Sequence, residues 1–177
     1  MIAYHILKSY ILKAVLPSQS DKKPLLCPFI SLHNNYYKIL LLSKRNHIFL
    51  LNIKNKWYYV VKGKVDKSYT GLVLYYGTWY YIKQGVLDWN YTGLCLYSGT
   101  WYYVKKGALD WNYTGLCLYG GTWYYVKKGA LDWNYTGVCD YYVTKYYIIN
   151  GVLKWNYSGK VICNGKTYNV VNGVAKL

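Results

Sequence analysis

The chain has 177 residues, enough for one domain of ordinary size, and carries eight Trp and 26 Tyr. Its formal charge is +16, with 22 Lys and Arg against six Asp and no Glu. Such a balance points to an anionic partner or to a charged, solubilising surface, and it leaves little acidic chemistry for catalysis.

In chain order, residues 1–48 come first and differ from the rest. They lack the Gly and Trp punctuation that follows, hold Pro17, Pro24 and Pro28 among Lys residues, and carry a net +6. His5, Lys8 and Lys13 interrupt the apolar start, so no clear signal peptide is present, and the ILLL and IFLL stretches are too short for a membrane span. This segment is expected to be an unassigned, poorly ordered leader.

From residue 49 the chain repeats. Gly71, Gly93, Gly115, Gly137 and Gly159 stand 22 positions apart, and 93–114 differs from 115–136 (GLCLYGGTWYYVKKGALDWNYT) only at Ser98. Self-similarity at such a period marks stacked supersecondary units. The units run 49–70, 71–92, 93–114, 115–136 and 137–158. A partial one, 159–177, has Thr167 and Leu177 at Trp positions, as a cap would.

Within a unit the apolar period is two. Leu116 to Tyr119, a Gly120-Gly121 turn and Trp123 to Val126 predict a β-hairpin. Lys128-Gly129, replaced by Asn150-Gly151 and Asn172-Gly173, predicts a second tight turn, and Leu131 to Thr136 a connector or short third strand. The expected fold is all-β, a β-solenoid-like stack of hairpin repeats. Alternation puts Trp123 and Tyr125 on one face and Tyr124 and Val126 on the other. The Leu116/Leu118 pair, Tyr124 and Val126 are expected inward, with Trp123 partly exposed at the seams.

The register of Trp57-Tyr58-Tyr59, Trp79-Tyr80-Tyr81, Trp101-Tyr102-Tyr103 and Trp123-Tyr124-Tyr125, each followed by a basic turn and a Gly-Leu or related step, resembles the bacterial cell-wall-binding repeats. That family includes the choline-binding and glucan-binding repeats. The resemblance covers about 49–177. It implies a superhelical solenoid, aromatic ligand slots between successive hairpins, and non-covalent attachment to wall polymers. Choline-binding members carry Gly-Trp at the start of each unit, whereas this chain has Gly71-Leu72, Gly93-Leu94 and Gly115-Leu116. A second Trp recurs in the connector, at Trp89, Trp111, Trp133 and Trp155.

The expected ligand-binding residues are therefore Trp57, Trp79, Trp89, Trp101, Trp111, Trp123, Trp133 and Trp155 with Tyr81, Tyr103 and Tyr125. A quaternary ammonium gains about 0.5–2 kcal/mol over an aromatic face. A sugar can instead lay its C–H face on the ring and hydrogen-bond to polar neighbours. Lys105, Lys106, Lys127 and Lys128 are the candidate contacts for an anionic polymer. Asp88, Asp110 and Asp132 recur once per unit, too sparsely for calcium, and are read as turn formers. Asn-x-Thr/Ser triplets such as Asn134-Tyr135-Thr136 repeat because the unit does. Cys95, Cys117 and Cys139 share one repeat position with Val73 and Val161, so free, packed thiols are expected.

No nucleophile–base pair or metal-ligand spacing recurs, and all three His precede the repeats. The expectation is a non-enzymatic, secreted or wall-associated surface module that binds a bacterial cell-wall polymer, teichoic acid or glycan. It needs no cofactor, metal or membrane span. A structural, self-associating surface protein and a basic, aromatic nucleic-acid binder are the alternatives. Nucleic acid is not the expected partner.

Overall fold

The computed structural model describes residues 48–177, so the leader expected over 1–48 falls, but for Ile48, outside the described residues. Among those described there are eighteen strands, all paired antiparallel, and no helix. None of the described residues forms a helix long and apolar enough to cross a membrane. They fall into two compact units that divide between Asp88 and Trp89.

The first holds β1 (Ile48–Ile53), β2 (Lys56–Val61), β3 (Lys64–Val65), β4 (Gly71–Tyr75), β5 (Thr78–Lys83) and β6 (Val86–Leu87). The second holds twelve strands in four sets of three. These are β7 (Gly93–Tyr97), β8 (Thr100–Lys105) and β9 (Ala108–Leu109); β10 (Gly115–Tyr119), β11 (Thr122–Lys127) and β12 (Ala130–Leu131). Then come β13 (Gly137–Tyr141), β14 (Thr144–Ile149) and β15 (Val152–Leu153); β16 (Gly159–Cys163), β17 (Lys166–Val171) and β18 (Val174–Lys176). Each set is one sequence repeat, a long hairpin followed by a short third strand.

Two-residue turns make the hairpins. Gly120 and Gly121 both have positive φ (55° and 79°), the left-handed pair that matches strand twist. Lys128 and Gly129 follow the same pattern (48° and 74°) at the second turn. Gly129 is further confined. A Cβ there would lie 2.7 Å from the Asp110 carbonyl oxygen and 2.9 Å from the Trp111 Cα, in the preceding repeat.

That close approach is the seam. The Tyr103 amide donates to the Gly129 carbonyl (2.8 Å), and the Gly129 amide donates to the Tyr113 carbonyl (2.9 Å). Ala130 of β12 pairs with Tyr102 of β8, and Val152 of β15 repeats this against Tyr124 of β11. β12 and β15 thus each join their own hairpin to the one before it. The Lys128 amide also donates to the Thr114 hydroxyl (3.1 Å), and Ser158 serves Asn172 the same way (3.0 Å). The Thr/Ser of the repeated Asn-x-Thr/Ser triplet is therefore a turn-anchoring acceptor.

Two of the expectations about facing need correcting. Leu116 is buried, but Leu118 is 52% exposed; Val126 is buried, but Tyr125 is buried as well, while Tyr124 is half-buried. Within a unit the facing surfaces of successive hairpins are both covered. Leu94 and Tyr103 of one hairpin pack against Cys117 and Val126 of the next, and Leu116 and Tyr125 against Cys139 and Ile148. In β7, β8, β10 and β11 burial consequently varies along the strand, from a closed inner end to an open outer end such as Leu118 and Trp123, whereas β16 and β17 of the last hairpin alternate from face to face.

Paired tyrosines close the inner end. Tyr103 stacks on Tyr113 and Tyr125 on Tyr135, each with ring centroids 3.8 Å apart. The Tyr113 hydroxyl reaches on to the Leu116 carbonyl, and the Tyr135 hydroxyl to the Val138 carbonyl (2.8 Å). These rings run beneath the repeat-opening glycines: a Cβ on Gly115 would sit 3.5 Å from the Tyr113 hydroxyl.

Burial raises the phenols of Tyr113 and Tyr135 well above the ordinary tyrosine range, with smaller contributions from Tyr103 and Tyr125. It also pushes the free thiols of Cys95, Cys117 and Cys139 up to about 11. All these groups are neutral when protonated, and the fold favours that form. Their contribution to stability is complete below the unfolded-state values, about 8.5 for Cys and 10 for Tyr, and is lost as pH rises through the folded values. Thermal midpoints measured from pH 8 to 11.5 should therefore begin to fall above about pH 8.5, as the thiols titrate in the unfolded chain, and fall more steeply above about pH 10, where the tyrosines join them. A midpoint unchanged at pH 11.5 would show that these groups are not held in a dry core.

Candidate functional site

The open outer ends of the hairpins form the candidate site. Cross-strand pairing puts Leu96 beside Trp101, and Leu118 beside Trp123. The next hairpin supplies the facing wall. Trp101 meets Tyr119 with ring centroids 5.0 Å apart, and Trp123 meets Tyr141 at 4.9 Å. Tyr124 packs onto the core cluster that Trp101 flanks, and Tyr146 onto the one that Trp123 flanks. The first unit builds the same arrangement from Trp57, Tyr75 and Tyr80, with Trp57 and Tyr75 at 5.7 Å. Each slot therefore has a half-buried indole from one hairpin and two phenols from the next.

The connector tryptophans stand apart from these clusters. Trp89, Trp111, Trp133 and Trp155 are each close to half exposed. Trp111 lies edge-on to Tyr102 (5.7 Å, 77°), Trp133 to Tyr124 (5.8 Å, 82°) and Trp155 to Tyr146 (5.5 Å, 77°). Tyr124 and Tyr146 thus belong to a slot on one side and meet a connector indole on the other. The connectors are held by Asx turns. The Asn112 and Asn134 amides donate to Asp110 and Asp132 (3.0 Å each), and Ser68 donates to Asp66 through its amide and its hydroxyl. Those bonds hold the Asp66 carboxyl below the usual range.

Of the residues expected to contact ligand, Trp57, Trp101 and Trp123 line slots. Trp79 and Tyr81 are half-buried on β5. Tyr103 and Tyr125, named as ligand contacts, lie in the core instead. Their rings are covered by Tyr113 and Tyr135, and the phenols beside Trp101 and Trp123 come from Tyr124 and Tyr146 on the next hairpins, at the repeat position one before that of Tyr103 and Tyr125. Lys105, Lys106, Lys127 and Lys128 are exposed at the second turn. Leu72, Leu94 and Leu116, which follow the opening glycines, are wholly buried and have no ligand-facing surface.

The reading from sequence alone did not identify Tyr119 and Tyr141, which stand eighteen positions after their tryptophans. It also missed a substitution at the last slot. Lys145 occupies the place of Trp123, Asp140 that of Leu118, and the two form an ion pair. Asp140 accepts from the Lys145 ammonium and raises its pKa. In 137–158 an exposed salt bridge stands where the three repeats of 71–136 have an indole and a leucine.

A model of the choline-binding repeat family matches residues 52–66, 68–88, 90–110 and 112–132. Among solved structures, CbpF in complex with ipratropium is 29% identical, with a TM-score of 0.34, over 72% of this chain and 38% of that one. Alternansucrase in complex with isomaltononaose is 18% identical, with a TM-score of 0.42, over 73% of this chain and 10% of that one. The chain therefore spans under two-fifths of the first protein and a tenth of the second. No curated protein matches significantly.

Proposed function

We propose that the chain, whose repeats between residues 52 and 132 match the choline-binding repeat family, is a non-catalytic module that holds a polymer of the bacterial cell wall or cell surface. The observation that supports this reading is the recurrence of one partly exposed aromatic cluster, Trp101 with Tyr119 and Tyr124, then Trp123 with Tyr141 and Tyr146, which we read as a ligand slot. Its ligand is a choline-like cation or the apolar face of a sugar, because both gain from ring faces in a partly dry slot. The opening-Gly position contributes no wall, so the slot differs from one built on Gly-Trp.

Single slots of this kind bind weakly, and a repeating polymer that occupies several at once gains about 10²–10⁴ in avidity. The module works outside the cell, at the wall. Retention of the full chain on purified bacterial wall sacculi tests this, with elution by choline or by soluble glycan. The expected result is retention reversed by at least one of the two competitors, which also identifies the ligand. A chain that passes through sacculi unretained would refute the reading.

A further inference from the structure

We propose that each of the repeats 93–114 and 115–136 carries a second binding site, for an acidic sugar polymer, on the edge formed by its basic turn and its connector tryptophan. The inference extends the wall-polymer reading but does not depend on the aromatic slots. In 93–114 a shallow depression of about 360 Å³ is lined by Lys105, Lys106, Asp110, Trp111 and Asn112, together with the apolar floor of β9. Every lining residue comes from one repeat, and the next repeat carries the same residues at Lys127, Lys128, Asp132, Trp133 and Asn134.

The parts suit one chemistry. Trp111 is half exposed yet held upright by its edge contact with Tyr102, so it offers a fixed stacking platform of the kind a pyranose ring uses. Lys105 and Lys106 are exposed, and Lys106 is held in the left-handed turn (φ 49°) by the bond from its amide to the Thr92 hydroxyl. Asp110 is partly satisfied by the Asn112 amide, and the two lysines outweigh it by one positive charge. An aromatic platform beside a net positive charge selects a sugar that carries a carboxylate or a phosphodiester.

The next repeat carries the same charge on different residues. Where 137–158 loses the lysine pair to Ile149-Asn150, it also replaces the Asp with Lys154, and again one positive charge stands beside an exposed indole, Trp155. The slots and the edges use separate tryptophans. Trp101 and Trp123 flank the buried clusters, whereas Trp111 and Trp133 sit in the connectors, edge-on to Tyr102 and Tyr124.

The test measures affinity of the full chain by calorimetry for polygalacturonate, poly(glycerol phosphate) and neutral dextran. Polygalacturonate should bind tenfold or more tightly than dextran. Preference for poly(glycerol phosphate), which has no sugar ring to lay on the indole, would overturn the proposal. Combined Lys105→Gln, Lys106→Gln, Lys127→Gln and Lys128→Gln should lower that affinity about tenfold or more, and Lys→Arg at the same positions should restore it. Trp111→Ala with Trp133→Ala should lower it by a comparable factor; if that variant does not fold, polymer-induced shifts of the wild-type indole N–H resonances replace it. The proposal is overturned if dextran binds equally well, or if the Lys→Gln variant binds as wild type. It is also overturned if only the lysines matter, since diffuse charge would then account for the binding. Choline competition reports on the slots alone, so failure there leaves this result separately readable.

Discussion

Replacing Gly129 with Ala is expected to destabilise the second unit by roughly 3 kcal/mol, and the same change at Gly121 by about 1. The two residues have nearly the same backbone, φ 74° and 79°. Both variants therefore incur the cost of placing an L side chain in the left-handed region, about 1–2 kcal/mol. Only Gly129 adds a clash. Its new Cβ would meet the backbone of Asp110 and Trp111, whereas nothing lies within 4 Å of one on Gly121. Backbone cannot rotate away as a side-chain tip does, so the seam must open and lengthen the bonds linking Gly129 to Tyr103 and Tyr113. Denaturant titration of both variants measures the difference. Equal destabilisation at the two positions would show that the seam is not tightly packed.

The second large effect concerns retention. Trp101→Ala combined with Trp123→Ala should reduce wall binding by about 10²-fold, roughly tenfold for each slot removed. Each substitution takes away the only indole of its slot and leaves Tyr119 with Tyr124, or Tyr141 with Tyr146, facing an alanine. Lys145→Ala provides the comparison. It lies at the equivalent position in the next hairpin but removes an ion pair instead of a ring, and it should leave retention within twofold. Binding curves on sacculi at fixed salt decide the matter. A double variant that binds like wild type would move the ligand away from the slots altogether.

The local structure could be read from the residues because its causes are local. Gly120-Gly121, Lys128-Gly129 and the period-two runs between them fix hairpins without reference to anything distant, and Asp110 and Asp132 make their Asx turns with residues two positions on. Facing could not be read this way. Alternation distinguishes two faces only when one is wet, and here each face of an interior hairpin meets a neighbour. Tyr103 and Tyr125 therefore entered the core beside Val104 and Val126, although they share a face with the slot tryptophans. The slot partners Tyr119 and Tyr141 were hidden for a related reason. Their distance from Trp101 and Trp123 is set by how hairpins stack, a quantity that no single repeat contains. Whether ligand occupies these slots depends in turn on chemistry outside the chain.

The backbone seam also bears on how such an array changes over generations. Adjoining copies meet through amide and carbonyl groups and through the same few side chains, so a repeat presents compatible surfaces to any other copy placed before or after it. Unequal recombination between near-identical stretches such as 93–114 and 115–136 would add or delete a whole 22-residue module without creating a foreign junction. Copy number can thus change while every individual repeat keeps its composition.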